Sequence, residues 1–154
     1  MTSLKNLKVI YILRWIYPRH ANDNKMAFLI VDTSIWIDYF DGKPFDLVDD
    51  VDQALLETRV VVPPLVISEL YSGARTVSQQ TMLDEWVDKI PVFTTTIDHW
   101  QRVGHLRMFL AKKGVNISTP DAHIAQCAID VKGYLLSHDG IFLLAAKHCG
   151  LQVL

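Results

Sequence analysis

The sequence predicts an α/β domain with a mainly parallel central sheet. Three observations lead there. The run Phe28-Leu29-Ile30-Val31 is apolar without alternation, the pattern of a strand covered on both faces. Downstream, helix-like and strand-like stretches alternate to the last residue, an order that gives parallel strands joined by right-handed crossovers. With 154 residues, 50% of them hydrophobic, the chain can bury the core of one domain.

After the first strand, Thr33 or Ser34 is placed to cap a helix carrying Ile35, Trp36 and Tyr39, which the turn Asp41-Gly42-Lys43-Pro44 ends. A second helix is expected over roughly 45 to 58. Val60 to Val62 read as a strand closed by two prolines, and Pro64 suits the first turn of a helix running to Gly73. A helix over about 77 to 88 follows, then a short strand in Ile90-Pro91-Val92-Phe93-Thr94, then a long helix from about 96 to 113 that Gly114 ends. Asn116 to Gly133 read as a capped helix and Tyr134 to Ser137 as a strand. Ile141 to His148 form a helix with cations at its end, and Leu151 to Leu154 a last strand. There is no internal repeat or low-complexity segment.

Composition narrows the function classes. The two cysteines, Cys127 and Cys149, suggest neither a disulfide scaffold nor a cysteine-rich zinc site, and a reducing cytoplasm suits them. Residues 1–25 hold five cations against one anion, a net of +4, so the chain's −2 leaves the remainder at −6. An acidic body that handled nucleic acid would need bound cations to neutralise its carboxylates. The apolar run near the N-terminus is broken by Arg14 and is shorter than the roughly 20 residues of a spanning helix, and no small-residue cleavage site follows it. Residues 1–25 are therefore expected to be an extension, flexible or upstream of the true start, with the functional domain beginning at Met26.

Four acids stand where a ligand site would form. Asp32 ends the first strand and Asp139 follows the strand Tyr134 to Ser137, at the carboxyl edge where open parallel sheets bind ligands. Acids also follow strands simply because they start turns and cap helices. Glu69 falls within the arc of Leu65, Val66, Leu70 and Gly73 at about 100° per residue, so it needs a partner or lines a crevice. Asp121 points with Ile124, Ala125 and Ala128, whereas His123, Gln126 and Asp130 define an opposite, wet side; Ser118 three residues earlier gives Asp121 a capping role as well. If the four converge, their mutual repulsion calls for a divalent cation. All-oxygen ligation selects Mg²⁺ or Mn²⁺ over zinc, and such a site suits metal-assisted phosphodiester cleavage.

The motifs FLIVDTSIWIDYF, PPLVISELYSGA, STPDAHIAQCA and YLLSHDGIF resemble, in order and interval, those of the PIN domain family, and in particular the VapC-type toxins of toxin-antitoxin pairs. The resemblance covers residues 26–154. It implies a three-layer α/β/α fold with a sheet of about five strands, and a Mg²⁺-dependent endoribonuclease with Asp32, Glu69, Asp121 and Asp139 as the metal-binding acids and Thr33, Ser34 and Ser137 as supporting hydroxyls. It also implies an RNA substrate, a homodimer, a small antitoxin that inserts a segment into the acidic groove, and no membrane association. Two positions depart from the family pattern. Ile141 stands where a second acid is common in the last motif, and His123 replaces a residue that is more often apolar; it reads as an exposed helix histidine before an imidazole near substrate.

Other classes fit less well. A haloacid-dehalogenase-like phosphatase needs a second Asp two residues after the first, where Ser34 stands, and a receiver domain needs an acid pair and a lysine that are missing. A PIN-like domain that binds RNA or protein without cutting remains the alternative of a different class. His123 and Cys127 have helical ligand spacing, but two ligands alone do not make a zinc site. Trp36, Tyr39, Trp86 and Trp100 read as core or a dimer face before base-stacking residues. Arg75, Arg102, Arg107, Lys112 and Lys113 are candidate phosphate contacts, with solvated surface as the default.

Overall fold

The structure, a computed structural model, describes residues 27–154; the expected extension over residues 1–25 lies outside the described residues. Leu29, Ile30 and Val31 are exposed by only 4, 0 and 1%. Each successive side chain of a strand faces the opposite way, so both faces of this strand are covered by other elements. It is β1 (Leu29–Val31), and it lies beside β2 (Tyr134–Leu136), which in turn pairs with β3 (Gln152–Val153); both pairings are parallel. Around the sheet run α1 (Thr33–Phe40), α2 (Val48–Leu56), α3 (Pro64–Gly73), α4 (Val77–Val87), α5 (Ile97–Lys112), α6 (Thr119–Asp130) and α7 (Gly140–Ala146). The α/β class and the parallel sheet are as the sequence predicts.

About five strands were expected, and three form among the described residues. The stretches at Val60 to Val62 and at Val92 run alongside as isolated parallel bridges, Leu29 to Val60 and Val62 to Val92. Proline is the reason: Pro63, Pro64 and Pro91 carry no backbone N–H and cannot extend a ladder on either stretch. What remains is a pair of hydrogen bonds on each side, Leu29 N to Arg59 O and Val61 N to Leu29 O, then Val62 N to Pro91 O and Phe93 N to Val62 O.

Helix boundaries follow local chemistry. Asp32, rather than Thr33 or Ser34, caps α1, its side chain accepting from Thr33 N. Thr76 and Gln79 make a reciprocal capping box at the start of α4. Thr96 caps α5, and Gly114 beyond its end adopts φ +79°, a conformation that glycine enters without strain. Of the aromatic residues of α1, Trp36 is core and the half-buried Tyr39 and Phe40 pack against it: Trp36 is fully buried, edge-on to Tyr39 at 5.6 Å and to Trp86 at 4.8 Å. This burial takes Trp36 out of consideration as a base-stacking residue.

Helix α6 packs on β1, β2, α3 and α5 at once. Consequently Ala122 to Ala128 are buried without a break, and the expected wet side of this helix does not exist. His123 is 1% exposed and Gln126 6%, where an exposed histidine was anticipated. The link from α6 to β2 is tight. Gly133 lies so close to the chain at Phe28 that an added Cβ would stand 2.3 Å from the Phe28 carbonyl oxygen and 2.9 Å from its carbon. The neighbouring Tyr134 N–H donates to that same oxygen at 2.9 Å. Gly133→Ala is therefore expected to cost about 1–3 kcal/mol through overpacking, read as a lower denaturant midpoint; an unchanged midpoint would mean that the β1 entrance yields freely.

Candidate functional site

Strand register builds the site. Val31 lies opposite Leu136, and Asp32 N donates to Leu136 O at 3.0 Å, so the residues that follow the two strands meet at one carboxyl edge. There Ser137 Oγ donates to Asp32 Oδ2 at 2.7 Å and accepts from Asp139 N at 3.0 Å. Asp139 caps α7, its Oδ1 accepting from Ile141 N at 2.9 Å. On the other flank, Thr33 N donates to Asp32 Oδ1 at 2.8 Å while the Thr33 hydroxyl donates to Glu69 Oε2. Ser34 Oγ makes a longer contact, 3.4 Å, to Asp32 Oδ2. Glu69, Thr33, Asp32, Ser137 and Asp139 thus form one continuous polar chain, although they come from three distant parts of the sequence.

Asp121 is held differently. The three residues between α6 and β2 turn the helix back along the strand, which sets the N-terminal turn of α6 toward the strands' carboxyl edge. Within that turn Asp121 Oδ2 accepts from Ser118 Oγ at 2.5 Å, and Asp121 N donates to the same oxygen at 3.1 Å. No hydrogen bond joins it to the other three acids among the described residues. No three of the four carboxylates bring oxygens within 4.8 Å of one another either. Glu69 also borders a groove of about 410 Å³ between α1, α3 and α4, together with Ile37, Phe40, Leu70, Arg75 and Met82.

A second polar cluster lies on α5 and α6, and it includes a residue that was not expected to matter. His99 Nδ1 lies 2.8 Å from Asp130 Oδ2, and His99 Nε2 lies 2.8 Å from His123 Nδ1. Cys127 Sγ is 3.9 and 3.8 Å from the two ring nitrogens of His123, and Trp100 stacks on that ring at 4.7 Å. His99, His123 and Cys127 together form a group whose ligand atoms all lie within 4.8 Å, close enough to hold a metal ion. Arg102 is not a free surface cation: it binds Asp130 through two nitrogens and also Asp98. Burial acts to lift the Asp130 carboxyl, but hydrogen bonds from Arg102, His99 and Gln126 hold it below the usual carboxylate value. His99 could have been found from spacing, because it shares the α5 stripe of Val103, Leu106 and Leu110, where a polar residue requires a partner.

The family model described as the PIN domain matches residues 29–147. This chain belongs to the PIN domain family. A comparison with curated proteins finds no match. Among solved structures, this PIN domain is similar to VapBC2 from Rickettsia felis bound to a promoter DNA fragment, with TM-score 0.68 and 18% identity over 82% of this chain and 97% of the other. It is similar to VapBC-1 from nontypeable Haemophilus influenzae, with TM-score 0.67 and 20% identity over 82% and 96%. It is also similar to DNA-bound VapBC from Salmonella typhimurium, with TM-score 0.65 and 18% identity over 84% and 98%. At these identities the likeness speaks for the fold. No described helix is long and apolar enough to cross a membrane.

The buried imidazole has a consequence for stability. Burial, reinforced by the adjacent His99, pushes His123 down to about 4 from its ordinary 6.5. Between those values the unfolded chain takes up a proton that the folded chain refuses, so stability falls as pH drops from 6.5 toward 4, by on the order of 3 kcal/mol. His123→Gln should flatten this acid limb in metal-free protein, as measured by chemical unfolding across that pH range; an unaltered slope would assign the limb to other groups.

Proposed function

We propose that this PIN domain is a Mg²⁺-dependent endoribonuclease and the toxin of a toxin-antitoxin pair. The observation that carries the reading is the hydroxyl-linked chain that ties Glu69, Asp32 and Asp139 together at the carboxyl edge of the sheet. The donor set is all oxygen and only partly buried, which suits a hard, hydrated cation. Mg²⁺ keeps several waters, so acids spaced too widely for direct shared ligation can still hold it. Asp32, Asp121 and Asp139 hold it in this reading, in part through those waters, and Glu69 completes the site directly or through water. Mn²⁺ is the expected substitute.

When bound, the ion supplies Lewis acidity to a phosphoryl oxygen and makes a water more acidic. The protein's part is orientation. Ser137 and Thr33 N fix the two oxygens of Asp32, and Thr33 Oγ1 fixes Glu69, so the carboxylates meet a ligand without reorganising. No side-chain nucleophile is needed. The solved VapBC complexes are toxin-antitoxin neighbours of the same fold, which supports a small antitoxin as partner here. Exposed Ile97, Trp100, Met108 and Phe109 on α5 supply an apolar surface consistent with a homodimer.

Purified protein incubated with RNA should cut it with Mg²⁺ and leave it whole with EDTA. Asp32→Asn should abolish cutting while the fold survives, because Asn caps a helix as well as Asp does. Ser137→Ala should reduce cutting by about 10–100-fold through loosened Asp32 and Asp139. RNA retained but uncut in both tubes would indicate a binding module, and full activity of Asp32→Asn would defeat the assignment.

A further inference from the structure

We propose that His99, His123 and Cys127 form a zinc site that joins α5 to α6, separate from the acidic pocket and independent of its chemistry. The three side chains are exposed by 1, 1 and 0%, and imidazole with thiolate is a donor set that prefers Zn²⁺ to Mg²⁺. His123 and Cys127 stand four residues apart on one face of α6, the spacing by which a helix presents two ligands to one ion. His99 reaches them from α5.

The surroundings orient the ligands. A carboxylate can only accept, so Asp130 fixes the proton of His99 on Nδ1 and leaves the Nε2 lone pair facing His123. A carboxylate behind an imidazole is the usual support of a histidine that ligates metal. Asp130 is itself held by Arg102 and Gln126. Tetrahedral zinc, at about 2.0–2.1 Å from nitrogen and 2.3 Å from sulfur, places two nitrogens ~3.3 Å apart and nitrogen and sulfur ~3.6 Å apart. Here the nitrogens are 2.8 Å apart and the sulfur is 3.8 and 3.9 Å from the His123 nitrogens. Small rotations of two rings therefore suffice to admit the ion.

The charges also balance. In the metal-free chain His123 Nδ1–H donates to His99 Nε2. On binding, that proton moves to His123 Nε2, the Cys127 thiol proton leaves to solvent, and zinc takes the two nitrogen lone pairs and the thiolate. The ion's two positive charges are then offset by the thiolate and by Asp130, while Arg102, which also pairs with Asp130, is matched by Asp98, so the cluster as a whole carries no net charge. One coordination position remains for water.

The test uses the full chain carrying Asp32→Asn, stripped with chelator and titrated with Co²⁺. One equivalent should give a thiolate-to-cobalt charge-transfer band and tetrahedral visible absorption, both displaced by Zn²⁺. Carboxylates cannot produce the first signal, so binding in the acidic pocket does not imitate it. Cys127→Ala, a change that keeps the site small and uncharged, should abolish the band and weaken zinc binding at least about 10-fold. Asp130→Asn should keep the band and weaken binding about 10–100-fold, as expected of a positioning residue. A chain that is folded by circular dichroism yet gives no thiolate band, or a band that persists in Cys127→Ala, overturns the site and leaves a metal-free hydrogen-bonded contact between the two helices. Neither result bears on RNA cutting by the unsubstituted chain.

Discussion

The hydrogen bond from Ser137 to Asp32 is the constraint on which the candidate site depends. It spans 105 positions of sequence, and it exists because β1 and β2 are parallel and in register at Val31 and Leu136. A slip of one residue would turn Ser137 to the other face of the sheet and leave Asp32 without its strongest side-chain donor. The other links build outward from this pair. Thr33 is the next residue after Asp32, Asp139 is two beyond Ser137, and Glu69 arrives because α3 packs on α1.

Much of this was legible in the sequence, for identifiable reasons. β1 was readable because a strand covered on both faces needs no alternation and stands out as an unbroken apolar run. Glu69 was readable as a polar residue out of place on an apolar arc, and the Thr33 hydroxyl is the partner that such a residue requires. The edge of the sheet was harder. Val60 to Val62 have every local preference of a strand, but ladder formation depends on donors beyond the stretch, and prolines remove them. The α1 cap lies one or two residues before Thr33 and Ser34, because Asp32 doubles as strand terminus and N-cap.

Helix α6 departs from its sequence pattern for a deeper reason. Sorting a helix into wet and dry sides assumes that one side faces water. Here one side meets β1 and β2 and another meets α5, so the polar residues opposite the sheet are enclosed as fully as the alanines that face it. Polar residues in such a place must satisfy one another. His123, Gln126 and Asp130 do so with His99 and Arg102, contacts that no spacing within α6 alone could reveal. The same helix thus contributes Asp121 at its first turn and a buried imidazole and thiol farther along.

The order of the strands also governs when the protein can be completed. The β2 side of β1 stays bare on a growing chain until Leu136 has been made, and Asp139 follows three residues later. Loop closure over so long a span is slow compared with forming single helices. A partly synthesised chain therefore holds Asp32 and Glu69 without their counterparts, and the acidic edge assembles only after β2 and the residues that follow it have been made.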